Sequence, residues 1–172
     1  MPHETPQLAA LRRSILNPWK LRLFMLQKLP MGFLAGLRVR EFTADSATVT
    51  IRLGYLTKNP FRSVYFACLA MAAELSTGII GIVCATVGAP VSMLVVGLEA
   101  DFTKKAVGRI SFRCDDGAAI AAAVAGTRAD GEGRTVVATS TGRDEAGEVV
   151  ATFRFTWSFK AKSAPGQGPA IQ

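Results

Sequence analysis

Histidine is almost missing from this sequence: the only one is His3, close to the N-terminus. Serine hydrolases need Ser, His and Asp together, and cysteine hydrolases need a Cys–His pair, so one terminal histidine argues against both mechanisms. Zinc sites built on histidine are excluded on the same ground. We therefore expect no metal and no cofactor, and any catalysis must use other side chains.

Cysteine is scarce as well, with three residues in a chain of 172. On one helix that rises ~1.5 Å per residue, Cys68 and Cys84 would lie about 24 Å apart, too far for a disulfide. Cys114 stands alone in a later segment. Unpaired cysteines among apolar neighbours are typical of core residues in a reducing compartment. The apolar stretch 21–29 is interrupted by two basic residues, unlike a secretory signal, and we expect a cytoplasmic protein.

Acidic residues are outnumbered, with 13 against 20 lysines and arginines, which gives a formal net charge of +7. Such a charge favours an acidic partner: nucleic acid, an anionic membrane surface or a phosphate-bearing small molecule. The sequence has no zinc-finger spacing, aromatic RNA-binding motif or long Lys/Arg run, so we do not expect nucleic acid. The other two partners stay open.

A long apolar segment from Phe61 to Val87 carries a single charge in its deep interior, Glu74. Its ~20-residue core has the length of a membrane span, but a carboxylate near the bilayer centre costs roughly 2.5–3.5 kcal/mol. Strand-like patterns flank the segment, and a span would place them on opposite sides of a bilayer. We therefore expect a buried core helix and no transmembrane span. Glu74 is then paired, next to a solvent-reachable cavity, or catalytic.

Apolar and basic residues recur at helical spacing over 8–28, which predicts an amphipathic helix, or two short helices hinged near Pro18. Two interpretations stay open. The segment can pack on the rest of the protein, or it can act as a basic lid or make a weak contact with a membrane surface.

The remaining sequence predicts six strands and two helices. Period-two alternation predicts strands in three consecutive pairs, at 37–42 and 47–53, 92–103 and 108–114, and 134–143 and 148–160. Helices are predicted at 61–87 and at 118–125, the second ending at Gly126. An antiparallel sheet wrapped around the long apolar helix satisfies this order, which is an α+β architecture. We expect an N-terminal helical segment over 1–29, one domain over 30–162 and a disordered tail over 163–172.

This order, with Asn59 just before the central helix and Glu74 within it, resembles the hotdog fold of acyl-CoA thioesterases. The chain is most similar to a hotdog-domain family of unknown function with an Ala-Glu-Leu-x-x-Gly helix signature, here Ala73-Glu-Leu-Ser-Thr-Gly78. The resemblance covers about residues 30–160. It implies an acyl-CoA or related thioester as the ligand, and assembly as a homodimer or a dimer of dimers.

The resemblance also implies individual site residues. In the phenylacetate-pathway type of hotdog thioesterase, an Asn precedes a His-Gly-Gly turn at the helix start, and a carboxylate follows further along the helix. Asn59 and Glu74 match the Asn and the carboxylate, and Ser92 matches a Ser or Thr that assists from the next strand. The stretch Phe102–Gly108 is similar to the family's aromatic-x-x-Pro-Ala-x-x-Gly near the CoA phosphates, with Lys105 in place of the proline.

One departure concerns the oxyanion site: Tyr65-Phe66-Ala67 stands where the family has His-Gly-Gly. Backbone N–H groups at Tyr65 and Phe66 are then the available donors, while Glu74 would orient a water or attack the thioester directly. Phe66 and Glu74 lie about 12 Å apart along a helix axis, so one chain cannot readily bring both to one carbonyl. A two-fold dimer that places the helix start of one subunit beside Glu74 of the other removes this difficulty.

A basic turn provides the best candidate for binding the CoA phosphates: Lys104, Lys105 and Arg109. A solvated surface turn would have the same sequence. Asn59 can likewise be a turn residue, and Glu74 a structural acid bonded to Ser92, Ser76 or a strand hydroxyl.

The main hypothesis is an acyl-CoA thioesterase-like protein that hydrolyses a thioester. The alternative is a non-catalytic module that binds acyl-CoA or a fatty-acyl chain. The pair Tyr65-Phe66 separates them, because a binding module tolerates bulky residues at the helix start, whereas a hydrolase needs open backbone donors there.

Overall fold

The computed structural model describes residues 6–162, so the predicted tail over 163–172 lies outside the described residues. Three short helices come first: α1 (Pro6–Leu16), α2 (Pro18–Lys28) and α3 (Pro30–Leu34). The break predicted near Pro18 is present. The side-chain oxygen of Asn17 accepts hydrogen bonds from the N–H groups of Trp19 and Lys20, at 3.1 and 3.2 Å, and caps α2. Pro18 suits the first helical position because an N–H there has no partner within the helix.

The rest of the chain forms one antiparallel sheet with two further helices. The elements are β1 (Arg38–Phe42), β2 (Ala47–Arg52), α4 (Phe66–Thr86), β3 (Val91–Phe102), β4 (Arg109–Cys114), α5 (Gly117–Asp130), β5 (Arg134–Arg143) and β6 (Val149–Ala161). The strand order in the sheet is β1-β2-β4-β5-β6-β3. The predicted α+β class and all six strands are confirmed.

The pairing of two strands differs from the prediction. β3 and β4, predicted as neighbours, lie in different parts of the sheet: β4 pairs with β2 and β5, and β3 pairs with β6. Alternation along each strand shows which residues share a face, but it does not say which strands pair. β3, with 12 residues, pairs along its whole length with the 13-residue β6, and the 6-residue β4 pairs along its whole length with the 6-residue β2. As a result β3 becomes an edge of the sheet.

Helix α5 is longer than the sequence predicts, because Gly126 does not end it. Gly126 lies inside the helix, where a Cβ would stand 2.6 Å from Nε of Arg134. The helix ends instead at Gly131, which adopts the left-handed φ of 81° that suits a glycine at a helix end.

Helix α4 is the core of the protein. It begins at Phe66 instead of Phe61, and most of its residues are buried. Its 21 residues are long and apolar enough to cross a membrane, yet 67% of its most apolar window is buried inside the protein. On the sheet side it meets the inward face of β6, on which Phe153, Phe155, Trp157 and Phe159 are all buried, as the alternation predicts. Most of the apolar surface of α4 is therefore covered by the protein itself, as in a helix at the core of a domain.

Candidate active site

Glu74 is partly buried on the side of α4 that packs toward β6. A Cβ placed on Gly78 would be 3.4 Å from the carboxylate oxygen Oε1 of Glu74 and 3.2 Å from Cζ2 of Trp157. The carboxylate and the indole therefore meet at Gly78, one turn beyond Glu74 on the same helix face. A glycine at this position leaves room for both side chains.

The carboxylate of Glu74 accepts no hydrogen bond from any residue between 6 and 162. Ser76 is engaged elsewhere, with its hydroxyl 2.8 Å from the carbonyl oxygen of Ala73 and 2.7 Å from the hydroxyl of Ser140. Burial raises the pKa of Glu74 above its ordinary value. A raised pKa suits a carboxyl group that takes up and returns a proton near neutral pH.

Ser92 is not brought to Glu74. Its hydroxyl donates to the carbonyl oxygen of Lys160, 3.1 Å away, across the β3–β6 pair. The next residue, Met93, points inward, since its Sδ lies 2.8 Å from where a Cβ on Gly81 would be. Successive strand residues face opposite sides of a sheet, so Ser92 lies on the outer face, away from α4.

The start of α4 supplies free backbone donors, one residue later than predicted. The N–H of Tyr65 donates to the carbonyl oxygen of Thr57 at 2.7 Å, and that of Cys68 donates to the carbonyl oxygen of Tyr65 at 2.9 Å. Among the residues that the structure describes, the N–H groups of Phe66 and Ala67 have no acceptor. Unpaired N–H groups at a helix start carry a partial positive charge and attract an oxyanion.

A cavity of about 370 Å³ lies beside this helix start. It brings together four of the predicted site residues: Asn59, Phe66, Lys104 and Lys105. Tyr65, Glu74, Ser92 and Arg109 are not part of its lining.

Asn59 organises the turn that precedes α4. Its side-chain oxygen accepts hydrogen bonds from the N–H groups of Phe61 and Ser63, at 3.0 and 3.1 Å, and its amide donates to the Ser63 hydroxyl at 3.0 Å. Arg62, inside the turn, adopts a left-handed φ of 62°. The hydrogen-bonding capacity of Asn59 is thus used within the turn, which is the behaviour of a turn residue.

The predicted basic cluster of Lys104, Lys105 and Arg109 does not form one group of free cations in the structure. Lys104 bonds to Asp144 at 2.8 Å and to Glu148, and these carboxylates raise the pKa of Lys104 to about 12. Arg109 is exposed and pairs in register with Arg52 of β2, while the adjacent Ile110 is fully buried, so Arg109 lies on the outer sheet face. Lys105 has no ion pair within residues 6–162 and is the free cation of the cavity.

A row of aromatic rings runs from the helix start to the neighbourhood of Glu74. Successive ring centroids lie 5.0, 6.5, 5.5, 6.1 and 6.4 Å apart in the order Tyr65, Phe66, Phe102, Phe153, Phe155 and Trp157. The alternation in β6 predicts the last three. Phe66 and Phe102 were not placed there from the sequence, because their proximity depends on the pairing of β3 with β6.

Neither thiol chemistry nor metal binding has support in the described part of the chain. The three cysteines, all in the described part of the chain, form no disulfide with one another. Burial raises the pKa of Cys68 and that of Cys114, the latter to about 11, so neither forms a thiolate readily at neutral pH. No three His, Cys, Asp or Glu side chains within 6–162 are grouped so that they could hold a metal ion.

The family follows from a match over residues 18–159 to the model of a domain of unknown function, DUF4442. The chain belongs to the DUF4442 family. Its Ala73–Gly78 helix signature, which the sequence suggested as a mark of the family, stays a prediction. The curated proteins contain no significant match to this sequence.

Solved structures show the fold of this DUF4442 chain. A Pseudomonas aeruginosa protein named as a probable thioesterase has 19% identity and a TM-score of 0.69, over 84% of this chain and 97% of that one. A Haemophilus influenzae thioesterase has 17% identity and a TM-score of 0.65, over 84% and 92%. The Escherichia coli PaaI protein of the phenylacetic acid degradation operon has 14% identity and a TM-score of 0.58, over 89% and 96%. The hotdog fold predicted from the sequence is confirmed.

Proposed function

We propose that this protein is a thioester hydrolase that acts on an acyl-CoA or a related thioester, with Glu74 as the catalytic carboxylate. The observation that carries the proposal is the state of Glu74: partly buried, with a raised pKa and without a hydrogen-bond partner in residues 6–162. Buried carboxyl groups with a raised pKa and no hydrogen-bond partner are found more often at active sites than elsewhere. Two proteins with the same fold, one named as a probable thioesterase and the other as a thioesterase, support the same reaction class.

The reaction needs a base and an oxyanion site. Glu74 takes a proton from a water molecule, whose oxygen attacks the thioester carbonyl carbon, and the N–H groups of Phe66 and Ala67 stabilise the resulting oxyanion. When the intermediate collapses, the C–S bond breaks and Glu74 returns the proton to the departing sulfur. The products are a carboxylic acid and a free thiol, and the carboxylate of Glu74 is regenerated. Direct attack by Glu74 on the carbonyl is the alternative first step.

A second copy of the chain completes the proposed site. In one chain, Phe66 and Glu74 are separated by about 12 Å along α4, too far for both to contact one carbonyl group. β3 is an edge strand of 12 residues that exposes Leu94, Val96 and Leu98. Long exposed apolar edges pair readily with another strand. We propose that two copies pair through β3, so that the helix start of one lies beside Glu74 of the other.

The cavity at the helix start provides a place for the polar part of the substrate. Lys105 is its free cation, and the proposed role of this lysine is to bind a phosphate of CoA. Lys104 lines the same cavity but is held by Asp144 and Glu148, and so contributes less. The lack of a disulfide among the three cysteines of residues 6–162 favours the reducing cytoplasm as the place where the protein works.

One observation favours the alternative, an acyl-CoA or fatty-acyl binding module without activity. The side chain of Phe66 is half exposed at the helix start, next to the N–H groups that would hold the oxyanion. A carbonyl group can reach these donors only if the ring leaves room for it.

The test is hydrolysis of a panel of acyl-CoA esters by the parent and by Glu74→Gln, with ligand affinity measured in parallel. The amide keeps the size of the side chain but cannot accept the proton, so we expect turnover to fall on the order of 10²–10⁴-fold with affinity retained. Glu132→Gln, at an exposed glutamate between α5 and β5, is the matched control and should keep full turnover. Tight binding with no hydrolysis of any ester by the parent would establish the binding module instead.

A further inference from the structure

Helix α2 is apolar on two opposite faces. Leu21 and Met25 are buried and face a cavity of about 280 Å³ that α1 and α2 form against α4. Trp19, Leu23 and Leu26, at positions i, i+4 and i+7, lie on the other side and are 81%, 57% and 52% exposed. The solvent side of a surface helix is normally polar. We refer to Trp19, Leu23 and Leu26 as the outer stripe.

The neighbouring helices carry further exposed apolar residues: Leu16 at the end of α1, and Met31 and Leu34 in α3. Scattered exposed apolar residues are ordinary, but a row of them along one face of a helix marks a contact surface, and the outer stripe is such a row.

The charge of the protein is concentrated in the same segment. Residues 5–40 contain seven of the 20 basic residues and none of the 13 acidic ones, so the rest of the chain is electrically balanced and this segment carries the whole net charge of +7. Lys20, Arg22 and Lys28 are exposed on α2 itself, and the helical spacing places Lys20 and Arg22 on the two sides of the outer stripe. A cationic and apolar segment without any acidic residue is complementary to an anionic surface that also accepts apolar side chains.

We propose that α2 is a docking helix that binds the surface of anionic membranes. The outer stripe enters the region between head groups and acyl chains, where tryptophan and leucine are favoured, and Lys20 and Arg22 at its sides contact lipid phosphates, while Lys28 adds to the positive charge of the helix. The helix lies flat on the bilayer, since its opposite face stays packed over α4. This inference does not depend on whether the protein is a hydrolase.

The test is sedimentation of the full chain with vesicles of phosphatidylcholine alone and of phosphatidylcholine mixed equally with phosphatidylglycerol. We expect binding to the mixed vesicles to be on the order of tenfold tighter or more, and to weaken as salt is added. Trp157 is buried, so a blue shift of tryptophan fluorescence on adding vesicles reports Trp19. No binding to the mixed vesicles, or equal binding to both kinds at every salt concentration, would overturn the proposal.

Three sets of substitutions locate the contact. Trp19→Ser with Leu23→Ser and Leu26→Ser, and separately Lys20→Glu with Arg22→Glu and Lys28→Glu, should each reduce binding to mixed vesicles on the order of tenfold or more. The matched control removes three equally exposed apolar residues from the loop before α4, by Tyr55→Ser, Leu56→Ser and Phe61→Ser, and should bind like the parent. If the parent does not bind vesicles and the triple serine variant has a lower mass than the parent in light scattering, the outer stripe contacts another copy of the chain. Membrane docking would then be wrong.

Discussion

Trp157 of β6 donates its indole N–H to the hydroxyl of Thr77 in α4, 3.0 Å away, and both groups are buried. This hydrogen bond fixes the indole against the turn of the helix that carries Glu74. The N–H of the ring is satisfied by Thr77, and the adjacent part of the six-membered ring, Cζ2 and Cη2, lies at Gly78, near the Glu74 carboxylate. The environment that raises the pKa of Glu74 is therefore held in place by a contact between the sheet and the helix.

Thr77→Val should destabilise the protein, because valine has nearly the same shape but leaves the buried indole N–H without an acceptor. We expect a loss of about 1–3 kcal/mol in the free energy of unfolding, measured by urea denaturation. Thr77→Ser keeps the hydroxyl and is the matched control, with a smaller loss. Equal stability of the valine variant and the parent would show that the hydrogen bond does not hold the indole.

Glu74→Gln should change how stability depends on pH. Burial raises the pKa of Glu74 in the folded state, so as the pH rises from the ordinary glutamate pKa through the raised value, the unfolded chain loses this proton first and the parent loses stability. The loss corresponds to about 1.4 kcal/mol for each pH unit by which the pKa is raised. Glutamine has no such dependence.

Urea denaturation of both proteins at a series of pH values measures this effect. The stability of the parent relative to the glutamine variant should fall across that window and stay constant above it. A relative stability that rises with pH would mean that the folded protein stabilises the ionised carboxylate.

The two lysines of the cavity should differ in their importance for CoA-ester affinity. Lys105→Ala removes a free cation and should weaken binding, with the larger effect at low salt, where charges are less screened. Lys104→Ala removes a cation already paired with Asp144 and Glu148 and should weaken binding less. Isothermal titration with an acyl-CoA at low and high salt measures both. Unchanged affinity in Lys105→Ala at both concentrations would show that this turn is only a solvated surface.

The free edge of β3 should be the surface through which two copies assemble. Leu98→Lys places a charge on that edge and should give a particle of 18.3 kDa in light scattering, while the parent gives at least twice that mass. Val137→Lys is the matched control, since Val137 is about equally exposed but lies on β5, inside the sheet. A parent that is monomeric and fully active would exclude a site shared between subunits.

The sequence predicts those parts of the fold that local pattern determines. Alternation predicts that six apolar residues of β6 share one face, and five of them are buried there: Ala151, Phe153, Phe155, Trp157 and Phe159. The near absence of charge in α4 predicts the burial of that helix. The pairing of β3 with β6 could not be predicted, because it joins residues about 60 positions apart and local alternation does not say which strands pair. The predicted end of α5 at Gly126 was wrong, because a glycine can also be needed inside a helix where another side chain packs closely. Gly126 is such a residue, since Arg134 packs against it.

The sequence identified several residues of the candidate site, but it did not predict which side chains they contact. Glu74 stood out as a lone acid in an apolar segment, and the structure leaves it without a partner in residues 6–162. The pairing of Lys104 with Asp144 and Glu148 could not be seen, because it requires the 103–108 loop to lie beside the β5–β6 hairpin. The pairing of β3 with β6 places the loop that follows β3 beside this hairpin, so a sequence-based prediction of that pairing would also have predicted the ion pairs of Lys104.

A shared active site can be tested by mixing two inactive variants. Phe66→Pro removes one oxyanion donor while the helix start is kept, since proline suits the first helical position and Tyr65 already has the extended conformation that precedes a proline, with φ −62° and ψ 135°. Phe66→Leu, which keeps the N–H, is the matched control and should stay active. Phe66→Pro and Glu74→Gln should each be inactive as homodimers.

The decisive measurement is the thioesterase activity of Phe66→Pro and Glu74→Gln after they are unfolded together, refolded as an equal mixture and compared with each variant refolded alone. If the helix start of one subunit serves Glu74 of the other, each mixed dimer contains one intact site, and the mixture should recover about a quarter of the parental activity. A mixture as inactive as its two components, in which mixed dimers are shown to form, would contradict a site shared between two copies.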